Sequence, residues 1–290
     1  MTDTDQPGTV VIAGCGDLGT ETGLRFAAAG HRVVGLRRRG SLVPAPLKGR
    51  SSDLRHEVPS IPTDTGVVVV ATAAGSRDVD EYRATYVDGL RNVLDGIDAS
   101  GARPRLLVVS STAVYDVDDG SVVDEDTPAR GGTPTATVLL EAERLLRERA
   151  PEAVLLRLSG VYGPGRERLV EQVRSGAARL SPTPGASAHT NRIHRDDAAA
   201  ALVHLARVAD PEPLYLGTDD EPVRLDDVLT FLADELGAPV PPRGDASARR
   251  SGGDKRLSNA RLRATGWAPR YPSFRDGYRA VLAGTGTRHP

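Results

Sequence analysis

The sequence predicts an α/β chain built on a doubly wound parallel sheet, with a smaller lobe toward its C-terminal end. Three observations carry this. An apolar run, Thr9 to Ala13, leads directly into glycines at positions 14, 16 and 19, and then into a helical segment from about Leu18 to Ala29 that stops at Gly30. A second run over 66–71, G-V-V-V-V-A, is too apolar for anything but a central strand. Strand-like and helix-like segments then alternate as far as Leu158, which is the pattern of βα units and not of hairpins.

The first unit is the most informative. A G-x-G-x-x-G pattern carries weight only between a strand and a helix, and V-V-I-A-G-C-G-D-L-G over 10–19 meets that condition. Gly14 allows the tight turn, Gly16 lets a pyrophosphate approach the backbone, and Gly19 lets helix and strand pack closely. The helix N-terminus adds free N–H groups and the positive end of its dipole. The expected fold is therefore Rossmann-like, with a dinucleotide over Gly14, Gly16, Asp17, Leu18 and Gly19. A plain glycine-rich turn is the alternative.

The second strand is expected at 32–36, followed by Arg37, Arg38 and Arg39. This is where such a fold reads the adenosine ribose. An acid there would accept from the 2′-hydroxyl of NAD, whereas arginines fork onto a 2′-phosphate. The cofactor expected is NADP, in preference to NAD and to a merely solvated basic loop. A third strand is expected to end within 51–54, bringing Asp53 and Leu54 to the adenine side. Thr72, after the run at 66–71, and Ser111, after a strand from Arg105, fall at strand ends and should line the same crevice. A single amphipathic helix is expected from 80 to 97 and another over 137–150. A further strand, 153–158, leads to Val161, expected beside the cofactor. Beyond Arg166 the regularity loosens: the division expected is a dinucleotide domain over 8–166 and a lobe over 167–290, with a strand near 213–216 returning to the sheet. Residues 241–254, rich in Pro, Gly, Ser and Arg, read as a loop.

Composition excludes several classes. Lys+Arg is 37 and Asp+Glu 39, a net charge of −2, which offers nothing to nucleic acid or an anionic membrane. No apolar run approaches membrane-spanning length, and the first seven residues are not those of a signal peptide. One cysteine, Cys15, suits a reducing cytoplasm and reads as a small residue that fits the glycine turn. The six histidines lack zinc-type spacing, and the acidic run 116–126 lacks that of a calcium loop, so no metal is expected.

Taken together, G-C-G-D-L-G, S-S-T-A-V-Y at 110–115, R-L-S-G-V-Y-G-P-G-R at 157–166 and N-R-I-H-R-D-D at 191–197 resemble the extended short-chain dehydrogenase/reductases, the group that includes nucleotide-sugar epimerases and dehydratases. With S-N-A-R-L-R-A-T-G-W at 258–267 the chain is most similar to an atypical bacterial branch. The resemblance implies a Ser that polarises the substrate oxygen, matched by Ser111. It also implies a Tyr and, four residues on, a Lys. Those positions fall on Thr135 and Leu139, and no lysine occurs between Lys48 and Lys255. Tyr115, Tyr162, Arg166 and His194 are expected to face a small polar substrate. In relatives the helices corresponding to 80–97 and 137–150 pair across a two-fold axis, implying a homodimer. Two readings remain open: an atypical NADP-dependent oxidoreductase or epimerase/dehydratase, and an NADP-binding sensor or scaffold without turnover.

Overall fold

Residues 8–244 and 253–290 are described by a computed structural model. β1 (Thr9–Ala13) runs into α1 (Asp17–Ala28), followed by β2 (Val33–Arg37), β3 (Lys48–Ser51) and β4 (Thr65–Val70). Next come α2 (Val79–Tyr82), a π-helical turn over Arg83–Asp88, α3 (Gly89–Ser100) and β5 (Arg105–Ser111). The middle of the chain forms β6 (Val122–Val123), α4 (Pro134–Arg149), β7 (Val154–Leu158), β8 (Gly160–Tyr162) and α5 (Arg168–Arg174). The remainder forms β9 (His189–Thr190), β10 (Arg192–His194), α6 (Arg195–Leu205), β11 (Leu214–Gly217), β12 (Val223–Arg224), α7 (Leu225–Glu235), β13 (Arg256–Leu257), α8 (Ala260–Ala264) and α9 (Phe274–Leu282).

Seven strands make one parallel sheet in the order β11-β7-β5-β4-β1-β2-β3. This is the doubly wound fold the sequence predicts. β1 lies between β2 and β4, so the winding reverses there and the loops after β1 and β4 open a crevice at the carboxyl edge. The strand's two-residue period divides the core. Val10 and Ile12 join Phe26 of α1 and Leu202 of α6 on one face, while Val11 and Ala13 join Val93 of α3 and Leu146 of α4 on the other. A separate cluster, including Leu169, Val228, Leu232 and Phe274, ties α5, α7 and α9 into the lobe.

Several elements differ from expectation. The helix expected over 80–97 is divided by the π-helical turn. The third strand ends at Ser51, leaving Asp53 and Leu54 in a loop. α4 begins at Pro134, three residues early, because Thr133 caps it (its Oγ1 accepts from the Ala136 N–H at 3.2 Å) and proline is well suited to the first turn. α6, on the lobe side of the expected boundary at 166, packs with α1 against the sheet. The apolar stripes of α3 and α4 face the sheet, and their outer surfaces carry ion pairs such as Arg149 with Asp95 and Asp98. Part of the 241–254 loop lies outside the described residues. No helix among the described residues is long and apolar enough to cross a membrane.

Candidate active site

The carboxyl edge of the sheet holds a cavity of about 630 Å³. Gly14, Gly16, Asp17 and Leu18 form its floor. Gly14 has φ +89°, and a Cβ there would stand 2.7 Å from the Thr72 nitrogen, so only glycine lets the β1 and β4 loops meet. A Cβ on Gly16 would meet nothing within 4 Å, which leaves the backbone open to the cavity. That open approach, at the start of α1, is the shape a pyrophosphate requires. Gly19 is not on the wall. It is buried, and a Cβ there would lie 2.4 Å from the Gly14 carbonyl oxygen, so its part is to bring helix and strand together.

One end of the cavity is basic. Arg37, Arg38 and Arg39 line it beside Asp53, Leu54 and Arg55. Arg55 donates two hydrogen bonds to the Asp53 carboxylate, at 2.8 and 2.6 Å, and holds its pKa down at about 2. Arg166 lines the cavity near the glycine turn and donates to Asp17 at 2.7 Å. Burial pushes Asp17 up, but hydrogen bonds from Arg166 and the His289 N–H, with the charge of Arg195, outweigh it and hold the carboxyl below its usual range. Cys15 is buried in the turn, and that burial pushes its thiol up, as befits a packing residue.

At the other end Thr72, Ser111 and Val161 line the wall, together with Tyr86. The Ser111 Oγ accepts from the Ala113 N–H at 3.2 Å, so its own proton is free to be donated into the cavity. Tyr86 is the sole tyrosine among the lining residues, and it comes from the π-helical turn. Burial raises its pKa, while a backbone hydrogen bond from Ala74 to the phenol oxygen opposes the rise. The phenol therefore stays protonated at neutral pH, with its O–H not engaged by that bond. Sequence periodicity gave Tyr86 only an apolar place on a helix.

Three residues expected on the substrate lie in the core instead. Tyr115 is 1% exposed; Arg157 donates to its phenol oxygen at 2.7 Å and fixes it beneath the β5 turn. Tyr162 is 2% exposed, stacked with Tyr278 and wedged over Gly277, where a Cβ would lie 1.7 Å from its oxygen. His194 is 1% exposed and caps α6, its Nδ1 accepting from the Asp196 N–H, and burial lowers its pKa to about 4. Motif proximity placed these rings near the site, but packing turns them away from the cavity. Thr135 and Leu139 occupy the first turns of α4. Leu139 is buried and, with Leu146 and Val70, lines a small void that adjoins the main cavity behind Thr72, Tyr86 and Ser110.

Beside Tyr162, Asp219 is buried and burial pushes its pKa up to about 8, against a backbone hydrogen bond from Glu221 and the charge of Arg192. An unfolded aspartate titrates near ~3.9. Between about 4 and about 8 the folded chain therefore holds a proton that the unfolded chain has released, and stability falls as pH rises through that window. Asp219→Asn is expected to become progressively more stable than the parent from pH ~4 to ~8. Melting temperatures at stepped pH check this, and a constant difference would contradict it.

Fold and cavity together define a Rossmann-like α/β protein with a glycine-floored crevice at the carboxyl edge of its sheet. The profile of the NAD dependent epimerase/dehydratase family matches residues 10–216, and the chain belongs to that family. It is 30% identical to a 3-diazoavenalumate denitrifying reductase from a Streptomyces species, over 86% of this chain and 95% of the relative. A structure from Methylobacillus flagellatus, described as a putative NAD-dependent epimerase/dehydratase, is 37% identical, with a TM-score of 0.78 and coverage of 96% and 98%. UDP-glucose 4-epimerase of Thermus thermophilus, solved with NAD, is 22% identical with a TM-score of 0.77 over 95% and 97%, a likeness in fold.

Proposed function

We propose that this protein is an NADP(H)-dependent reductase that acts on a small, electron-poor polar substrate, and that the substrate is an aryl diazo compound. The observation that carries the reading is a cavity with a glycine-turn floor, a basic adenosine end, and Ser111 and Tyr86 at the far end, but with Thr135 and Leu139 where the resemblance implies an acid/base pair. Carbonyl reduction and alcohol oxidation both move a proton on oxygen and need such a pair. Loss of nitrogen does not. When bound, the nicotinamide supplies a hydride, and replacing nitrogen on a diazonium carbon balances as one C–H bond formed and one C–N bond broken, its pair leaving on dinitrogen. Ser111 and Tyr86 then serve as hydrogen-bond donors that orient the substrate. The 30% identical relative bears a name that describes such a reduction.

The test is NADPH consumption with 3-diazoavenalumate, scored against dinitrogen release and transfer of a C4 deuterium label from the cofactor. A carbonyl panel is run in parallel. Label transfer with matching nitrogen release supports the reading. Turnover of carbonyls alone overturns it, and NADPH binding without turnover on either panel favours the sensor reading, which the missing pair also suits.

For the cofactor, Arg37 and Arg38 favour NADP. A charge-assisted bond to the 2′-phosphate contributes about 1.5–3 kcal/mol, or roughly tenfold or more in affinity. Arg37→Asp is expected to reverse or abolish the preference. Equal affinities for NADPH and NADH in the parent would contradict it. We further propose a cytoplasmic homodimer formed through the outward faces of α3 and α4, which a monomer by light scattering at micromolar concentration would rule out.

A further inference from the structure

The last residues described form a strap along α1 that reaches Arg37, a lining residue of the cavity. From α9 the chain returns past the 163–166 loop to α1. The Thr287 carbonyl accepts from Arg195 Nη2 at 3.0 Å. Arg288 lies on Gly165, where a Cβ would come within 2.1 Å of the Arg288 Cδ. His289 is held twice: its backbone N–H donates to Asp17 at 3.2 Å and its ring pairs with Glu21 at 2.9 Å. The strap ends with the Pro290 carbonyl oxygen accepting from Arg37 Nη1 at 2.7 Å.

Arg37 is thus the meeting point of two acceptors. Arg37 Nη1 is engaged by the Pro290 backbone oxygen, so a 2′-phosphate arriving at this guanidinium would find one of its donors taken and a second negative oxygen beside it. We propose that residues 288–290 are an internal ligand of Arg37 that competes with the 2′-phosphate of NADP(H), and that they set how far the protein discriminates between NADPH and NADH. The proposal rests on the reading of Arg37 given above. The strap is suited to such exchange. It is irregular and, apart from the half-buried His289, exposed, and release of 288–290 breaks its bonds to Asp17, Glu21 and Arg37.

The experiment is a binding titration of NADPH and of NADH, separately, against the full chain, a chain ending at Thr287, His289→Ala and Arg37→Ala. Ending at Thr287 keeps an acceptor oxygen, now of a terminal carboxylate, on buried Arg195, and Asp17 keeps both arginines, so the fold is not undercut. Loss of the strap is expected to tighten NADPH by about tenfold, the equivalent of one hydrogen bond to a charged donor, and to leave NADH within about twofold. His289→Ala is expected to move NADPH in the same direction by less. Unchanged NADPH affinity in the shortened chain, or an equal change for both cofactors, overturns the competition. If Arg37→Ala alters the NADPH/NADH ratio while shortening does not, only the strap proposal fails. If Arg37→Ala leaves the ratio unchanged, the Arg37 reading fails and the strap proposal falls with it.

Discussion

Glu143→Ala is expected to cost about 3–5 kcal/mol of folding stability, the range for breaking one side of a buried ion pair. Glu143 and Arg157 are each 7% exposed. The Arg157 Nε donates to Glu143 Oε1 at 3.0 Å and its Nη2 to Oε2 at 2.5 Å, while Nη1 reaches the Tyr115 oxygen. Ser110 adds a fourth bond, its hydroxyl donating to Glu143 Oε1 at 2.6 Å. Three elements therefore meet on one carboxylate, α4, β5 and β7, and Arg157 ties in the turn that carries Tyr115. Alanine leaves a buried guanidinium with a phenol as its remaining partner in this network, and the cost is that of an uncompensated charge more than of lost attraction. The denaturation midpoint should fall with little change in m-value. Glu143→Gln keeps the volume and one acceptor and should cost less. A loss under about 1 kcal/mol for alanine would show that water reaches Arg157.

Ser111→Ala is expected to lower kcat by about 10²-fold, the cost of misplacing a substrate by about an ångström, with NADPH affinity nearly unchanged. Tyr86→Phe should show the same separation with a smaller loss, because phenylalanine keeps the ring that covers the wall. Both separations follow from position. On the proposed reading the phosphate and adenosine contacts come from the glycine turn, Arg37, Arg38 and the Asp53 loop, and not from Ser111 or Tyr86. Titration of NADPH binding beside turnover of the diazo substrate checks them. Robust turnover that survives Ser111→Ala would mean that the reacting end of the cavity has been assigned to the wrong wall.

The sheet was legible because its signals are local. Glycines between a strand and a helix, and valine runs without polar interruption, each fix one element, and their alternation fixes the winding. Most cofactor-side positions follow from strand ends in the same way. Side-chain direction is less local. Ser110 and Ser111 are neighbours in one strand and both border the cavity, yet the Ser110 hydroxyl is committed to buried Glu143 while Ser111 caps the turn that follows, and nothing in the sequence decides which. Tyr115, Tyr162 and His194 lie in or beside motifs that border the site, and their rings fill the core because the neighbouring elements leave space there. The strap at 285–290 has no periodicity to read. Its course depends on Arg195, Asp17 and Glu21, which are distant in sequence.

The π-helical turn bears on how this site could have arisen. Such a turn is an α-helix carrying one additional residue, and each residue rotates a helix by about 100°. Removing Val87 or Asp88 would restore the ordinary winding and swing Tyr86 and everything before it relative to α3. Tyr86 would leave the cavity wall without any change in sequence at its own position. A one-codon deletion is therefore enough to exchange the side chain presented to the substrate while the rest of the fold is retained. Among chains of this architecture, helix length between β4 and β5 would then vary together with substrate type, and not with overall divergence.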